Sequence, residues 1–545
     1  MRARGSRVRS ARPVQRATAL LMTATIGALG PGLLPLPAAA QPTVAPEDGG
    51  FYASPPPVDM GYLPGDTGQP DQNYTQKVGC VERDLENNIQ LNQAPWGQLY
   101  LRLDEVHRLM RGTTKGVGIK PNGQPVRVAV IDTGVTASHP FFEGRVKSGG
   151  DYVKDTGQPG LEDCDGHGTE VAGIIAADTP EDQMKFTGVA PDAEIISIRQ
   201  SSQNYAPDDS ATPSQGAGGD AGGQSGGDAG DAGGDAGDAG GAGGASGPGR
   251  PGGTGAAQDG GGRTQGDEGS AGTLDTLAQA VVRATAMGVD VINVSINNCR
   301  SADGGITEGE KRLQAAVHNA VENNVVVVAA AGNLSEKCEQ NDQPDANAPK
   351  TIVTPPWFAE DVLSVAAIDK TGGVADFSLN GPWVSVAAPG TEIISLDPAE
   401  GSSGLANLTI ENGESQPIKG TSFAAPYVAG LAALVRAKFP ELNAREVMNR
   451  ITSTAQHPAA PGGRDNFVGY GVIDPMAALT ATVPEEEGLP PDSAVALPSD
   501  MPPAADRNWT PVIVALAGSG GALTALLVTL FVVHTIRRNR PAEPR

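Results

Sequence analysis

The chain has 545 residues, with 63 Asp and Glu against 39 Lys and Arg and a formal net charge of −24. That acidic balance argues against nucleic-acid binding, which needs a basic face to displace counterions from phosphate. The length allows one sizeable hydrophobic core with appendages at both ends.

In chain order, arginines at positions 2, 4, 7, 9, 12 and 16 precede an apolar stretch that ends in Ala38-Ala39-Ala40. This is the layout of a secretory signal peptide over residues 1–40, cut after Ala40. Residues 41–93 form a Pro- and Gly-rich N-terminal extension, and a folded domain is expected over 94–479. Within it, the apolar run Val126 to Ile131 reads as a strand that ends at Asp132. His167 opens an apolar, helix-like stretch through Ala177, and Asp163 and Asp165 just before it read as solvated surface carboxylates. Residues 201–272 repeat Gly, Ala and Asp, with ten acidic residues against two arginines. Such a segment buries too little apolar surface to offset its ordering entropy, so a disordered insertion is expected.

Val289 to Ile296 and Val325 to Ala331 read as buried strands, separated by a helix over 308–322. This alternation predicts right-handed crossovers in a doubly wound parallel α/β sheet with helices on both faces. A further apolar helix starts at Ser422 and runs to Ala437. Residues 480–511 form a Pro-rich linker, followed by 22 uncharged residues over 512–533. As a helix that stretch spans about 33 Å, enough to cross a bilayer. Basic residues then fill the tail, 534–545, which keeps it cytoplasmic and places the folded domain outside.

Four cysteines, an even number, suit an exported chain and allow three pairings. Cys299 and Cys338 each lie just past the end of one of two consecutive parallel strands, which favours Cys299–Cys338 and leaves Cys80–Cys164. The second bond pins the extension close to His167, so residues 41–93 are expected to be a retained wrap rather than a discarded inhibitor.

Three motifs carry chemistry: Asp132-Thr133-Gly134, His167-Gly168-Thr169 and Gly420-Thr421-Ser422-Phe423-Ala424-Ala425-Pro426. Asp-Thr-Gly also marks aspartic proteases, but that chemistry needs two carboxylates sharing a proton, and of the three Asp-Thr-Gly runs in the chain (66–68, 132–134 and 155–157) only the one at 132–134 follows an apolar strand-like run. An acid, a base and a hydroxyl in this order match the subtilisin arrangement of the serine-protease triad. Ser422 is the nucleophile, His167 takes its proton and Asp132 fixes the imidazole. Two oxyanion donors are expected: the side-chain amide of Asn333, which follows Ala331-Gly332, and the backbone N–H of Ser422. Alone, Asn333 reads as a turn residue; the three motifs make it a donor. The chemistry calls for no metal and no cofactor.

From about Ala94 to Leu479 the chain resembles the subtilisin family, peptidase S8. Further matches are Gly188-Val189-Ala190-Pro191, Asp376-Phe377-Ser378, Val386-Ala387-Ala388-Pro389-Gly390 and Gly469-Tyr470-Gly471-Val472-Ile473-Asp474. The resemblance implies that Asn293 and Ser295 edge a cleft where an extended peptide substrate adds a strand. Many subtilisins have Gly soon after that Ser; here Ile296-Asn297-Asn298-Cys299 follows, a bulkier wall. With its export signal, extension, linker and C-terminal membrane helix, the whole chain resembles the mycosins. That resemblance implies a plasma-membrane protease whose catalytic domain faces the extracytoplasmic side, associated with the type VII (ESX) secretion membrane complex. A mainly structural role in that complex is the alternative.

Overall fold

Seven runs rich in Val, Ile and Ala build the central sheet: β1 (Arg127–Asp132), β2 (Val146–Asp151), β3 (Glu194–Arg199), β4 (Val291–Val294), β5 (Val326–Ala330), β6 (Leu363–Ile368) and β7 (Val384–Pro389). Our computed structural model describes residues 53–81, 93–154, 157–180, 184–208, 270–343, 348–411, 414–488 and 510–538. The strands pair in the order β7-β6-β5-β4-β1-β3-β2, and every pairing is parallel. β4 and β5 are buried at every residue, as expected of strands covered on both faces. Helices Leu274–Ala286 and Glu308–Glu322 pack on each other, and helices His167–Ala176 and Thr421–Lys438 form a second packed pair.

Local chemistry sets the helix ends. Leu274–Ala286 and Glu308–Glu322 each begin with a capping box, at Thr273 and Thr307, which satisfies donors that the first turn leaves free. Thr421–Lys438 is buried from Thr421 to Ala437 and packs along β4, β5, β6 and β7. From β1 the chain goes out to β2, returns to β3, then crosses to β4 on the other side of β1. Such a reversal opens a crevice at the carboxyl ends of the strands, and β1 ends there at Asp132.

The doubly wound sheet agrees with the sequence reading, and the helix over 308–322 has the expected span. One pairing was not legible: Asn298–Ser301 runs antiparallel to Thr351–Thr354, with Asn298 opposite Thr354 and Cys299 opposite Val353. Asn-Cys-Arg-Ser carries no alternating apolar signal, so only tertiary context makes it a strand.

The insertion starts later than its composition suggests. Ser202 and Ala271 exchange backbone hydrogen bonds of 3.2 and 3.0 Å, and Tyr205–Pro207 pairs with Tyr74–Gln76 of the extension. Residues 201–208 and 270–272 therefore belong to the folded domain, a correction to the expected disorder. The rest of the insertion, 209–269, lies outside the described residues, as do the expected signal peptide and tail residues 539–545.

Extension residues 53–81 run across the domain. The Asp66 carboxylate accepts from Tyr152 Oη at 2.7 Å and pairs with Arg283 at 2.9 Å. Thr67 Oγ1 donates to Gln279 Oε1 at 2.6 Å, and Gln314 Nε2 donates to the Pro56 carbonyl at 2.8 Å. Both expected disulfides form, Cys80–Cys164 and Cys299–Cys338. The Cys80–Cys164 bridge spans 84 positions, and a disulfide typically contributes about 2–4 kcal/mol. Replacing Cys80 and Cys164 together by Ser is expected to lower the unfolding free energy by about that amount. Denaturant melts of the two proteins check it, and an unchanged midpoint would show that the clasp does not depend on the bond.

Thr510–Arg538 is a single helix that ends in Arg537 and Arg538, and Ile513–Arg538 is long and apolar enough to cross a membrane. The preceding linker is partly ordered: Glu486 forms an ion pair with the buried Arg450, and residues 489–509 lie outside the described part.

Candidate active site

Asp132 ends β1 with no solvent exposure. Its Oδ1 accepts from the Thr133 backbone N–H at 2.8 Å and from His167 Nδ1 at 2.7 Å. A carboxylate facing Nδ1 makes that nitrogen the protonated one and leaves Nε2 as the basic lone pair. His167 Nε2 is buried and has no hydrogen-bond partner among the described residues. The ring packs against Phe423, centroid to centroid 4.9 Å, which sets it beside the residue after Ser422.

Glycine makes the approach of His167 possible. A Cβ on Gly168 would sit 2.1 Å from the Gly134 carbonyl oxygen and 3.2 Å from Asp132 Cβ. The helix that starts at His167 therefore touches the Asp132-Thr133-Gly134 turn backbone to backbone.

Asp163 ties the two motifs together. Its Oδ1 accepts from Thr133 Oγ1 and from Gly166 N, both at 2.8 Å. Its Oδ2 accepts from Thr169 N at 2.8 Å and Thr169 Oγ1 at 2.7 Å. Burial pushes this carboxyl above the ordinary carboxylate range, while the Thr169 hydroxyl pulls it back. Asp165 is buried, while Asp163 is partly so, and Asp165 accepts from Ser202 Oγ at 2.5 Å and from Gln203 N at 2.7 Å. Neither is the solvated surface carboxylate expected from sequence. The legible signal was Asp163-Cys164-Asp165-Gly166, an Asp three residues before a turn glycine at a helix start. Asp163→Ala leaves the donors from Thr133, Gly166 and Thr169 without an acceptor, and is expected to cost about 3 kcal/mol of stability. It should also lower kcat more than KM; thermal melts and steady-state kinetics check both.

Ser422 is the second residue of its helix, so its N–H lies among the first-turn donors that have no intrahelical acceptor. The preceding Gly420 has φ 151° and ψ 152°, a region essentially restricted to glycine. Pro426, four residues after Ser422, has no N–H to give the Ser422 carbonyl. Ser295 supplies the missing donor: its hydroxyl reaches that carbonyl at 2.8 Å. Asn293 Nδ2 donates to Ser295 Oγ at 2.9 Å and so aims that proton. Both side chains are fully buried beneath the nucleophile, and neither forms an open cleft wall.

Asn333 is oriented with equal care. Its Oδ1 accepts from Thr421 N and Thr421 Oγ1, each at 3.0 Å. The Thr421 hydroxyl in turn accepts from Gly332 N at 3.2 Å. Two donors on the oxygen fix the amide flip, and Nδ2 is left buried and without a partner among the described residues. A buried, unpaired N–H costs free energy unless a ligand oxygen completes it.

The subtilase family model matches residues 123–471 of the chain. Over 475 residues the chain is 37% identical to Mycosin-1 of Mycobacterium tuberculosis, covering 84% of this chain and 89% of that protein. This chain belongs to the mycosins, within the subtilase family. It is thus a subtilisin-family serine protease. Among solved structures, the crystal structure of the mycosin MycP1 from Mycobacterium smegmatis matches with a TM-score of 0.62 and 34% identity, covering 82% of this chain and 100% of that one. A chain in the structure of an intact ESX-5 inner membrane complex matches with a TM-score of 0.61 and 35% identity, covering 88% of this mycosin and 100% of that chain.

Proposed function

We propose that this mycosin is a membrane-anchored endopeptidase that cleaves exported proteins through an acyl-enzyme at Ser422, on the extracytoplasmic side and in association with a type VII secretion complex. The observation that carries the catalytic part is Asn333, whose amide oxygen is held while its Nδ2 waits, buried and unpaired. Ser422 Oγ attacks the scissile carbonyl and gives its proton to His167 Nε2. Asp132 holds the imidazolium, and Asn333 Nδ2 with the Ser422 N–H receives the oxyanion. The proton then passes to the leaving amine, and water releases the acyl group by the same steps.

The apolar Thr510–Arg538 helix supports anchoring, and the export signal expected from the sequence, with the basic tail, supports a domain outside the membrane. The likeness to a chain of an ESX-5 inner membrane complex supports association with such machinery, and it also favours the second reading, a structural stabiliser with secondary proteolysis. A strain carrying Ser422→Ala separates the two. Assembly of the secretion complex with unprocessed substrate supports proteolysis as the role of the site; normal processing of every secreted substrate would remove it.

A further inference from the structure

A groove of about 340 Å³ opens where β6 and β7 begin, between those strands, the helix Ala444–Ser453 and the loop from Arg464 to Tyr470. Leu363, Trp383 and Met448 line it with apolar surface, and Arg445, Arg464 and Tyr470 complete its walls. All seven strands are parallel, and Asp132 stands at the carboxyl end of β1. The groove is at the amino ends, so the length of β6, six residues or about 20 Å, separates it from the level of the triad. It is no part of the substrate cleft.

Its two arginines differ. Arg445 pairs with Asp361 at 2.8 Å and with Glu322 at 3.0 Å. Arg464 is half-buried, and one of its guanidinium nitrogens donates to the carbonyls of Pro382 and Val384. It has no carboxylate partner among the described residues. The neighbouring Asp465 carboxylate turns to its own loop, where Oδ1 accepts from Phe467 N at 2.9 Å and Val468 N at 2.8 Å. A guanidinium held by carbonyls and left without an anion is set up to bind a carboxylate through its other N–H groups.

The loop beside it is apolar and fixed in place. Phe467 is 51% exposed and Tyr470 36%; outside the membrane helix, no other Phe, Tyr or Trp among the described residues is as exposed. Tyr470 N donates to the Ser385 carbonyl of β7 at 2.8 Å, and the Arg464 guanidinium lies 5.8 Å from the Tyr470 ring centre. Arginine and aromatic side chains on a rigid support are the common anchors of protein interfaces. A small anion would occupy Arg464 and leave Phe467 bare, whereas a polypeptide segment covers both. The chain also leaves the folded domain nearby: Glu486, shortly before the linker to the membrane helix, pairs with Arg450 of the same Ala444–Ser453 helix. A partner that meets this face is therefore close to the exit toward the membrane.

We propose that this groove docks an extended segment of a second, membrane-associated protein. An Asp or Glu of that segment pairs with Arg464, and an adjacent apolar side chain fills the space over Leu363 and Met448. The inference rests on the association with a membrane complex given above, and adds the surface and the partner's chemistry to it.

The test puts a photo-crosslinking benzophenone amino acid in place of Phe467 in the full-length protein, in its own membrane, and maps the joined peptide by mass spectrometry. The expected product links position 467 to another protein, within a few residues of an Asp or Glu that adjoins an apolar residue. Arg464→Glu should lower the yield of that product at least about tenfold. Tyr470→Ala, which leaves the Pro382 and Val384 carbonyls their donor, should lower it as well. Fluorophosphonate labelling of Ser422 and kcat/KM for a peptide ester should stay within about twofold in both variants. No cross-link, a cross-link only to this chain or a second copy of it, or a yield that both substitutions leave unchanged overturns the inference. If the unaltered protein migrates with no membrane complex on a native gel, the association reading falls too, while the catalytic reading is judged by the labelling alone.

Discussion

Ser422→Ala is expected to lower kcat/KM for peptide hydrolysis about 10⁶-fold, the scale of loss known from removing the nucleophile of subtilisin. The fold should hardly notice. What Ser422 gives the structure is its backbone: the carbonyl bonded by Ser295 at 2.8 Å and its place in the first turn of the Thr421–Lys438 helix. Both survive in alanine, so the unfolding free energy should change by less than about 0.5 kcal/mol. Steady-state kinetics with a peptide ester and a thermal melt on the same preparation check the pair of expectations. A large loss of activity with a large drop in Tm would assign Ser422 a packing role that the structure does not give it.

The second large effect belongs to Asn333. Asn333→Leu removes the Nδ2 donor and is expected to lower kcat about 10²–10³-fold with KM little changed, because the donor acts on charge that develops after binding. That magnitude is the one known from subtilisin. Leucine also removes the acceptor of Thr421 N and Thr421 Oγ1, so this variant should lose about 1–3 kcal/mol of stability. Asn333→Asp separates the two roles. It keeps an oxygen for Thr421 but puts negative charge where the oxyanion forms, so kcat should fall at least as far while stability holds better. A KM effect without a kcat effect, in either variant, would make Asn333 a binding residue only.

Much of this was legible because the site is built from short motifs at element ends. Apolar runs located β1, β4 and β5, and the three motifs named Asp132, His167 and Ser422 directly. Other parts depend on partners distant in the chain. Nothing near Pro426 says that Ser295 will donate to the carbonyl it leaves free, and that bond turns Ser295 and Asn293 under the nucleophile instead of toward a cleft. Asp163 and Asp165 looked solvated because charge is normally exposed; only the fold brings Thr133 and Ser202 to them. Composition also overreached at the insertion, whose ends are ordered by a bridge between Ser202 and Ala271 and a strand shared with the extension.

The most direct test is fluorophosphonate labelling of the full-length protein, with the modified peptide mapped by mass spectrometry. Labelling at Ser422 that is lost in His167→Ala, with extension residues 53–81 still joined through Cys80, is the predicted result. A folded protein with an intact extension and no label at Ser422 would contradict an assembled triad and bring the structural role forward.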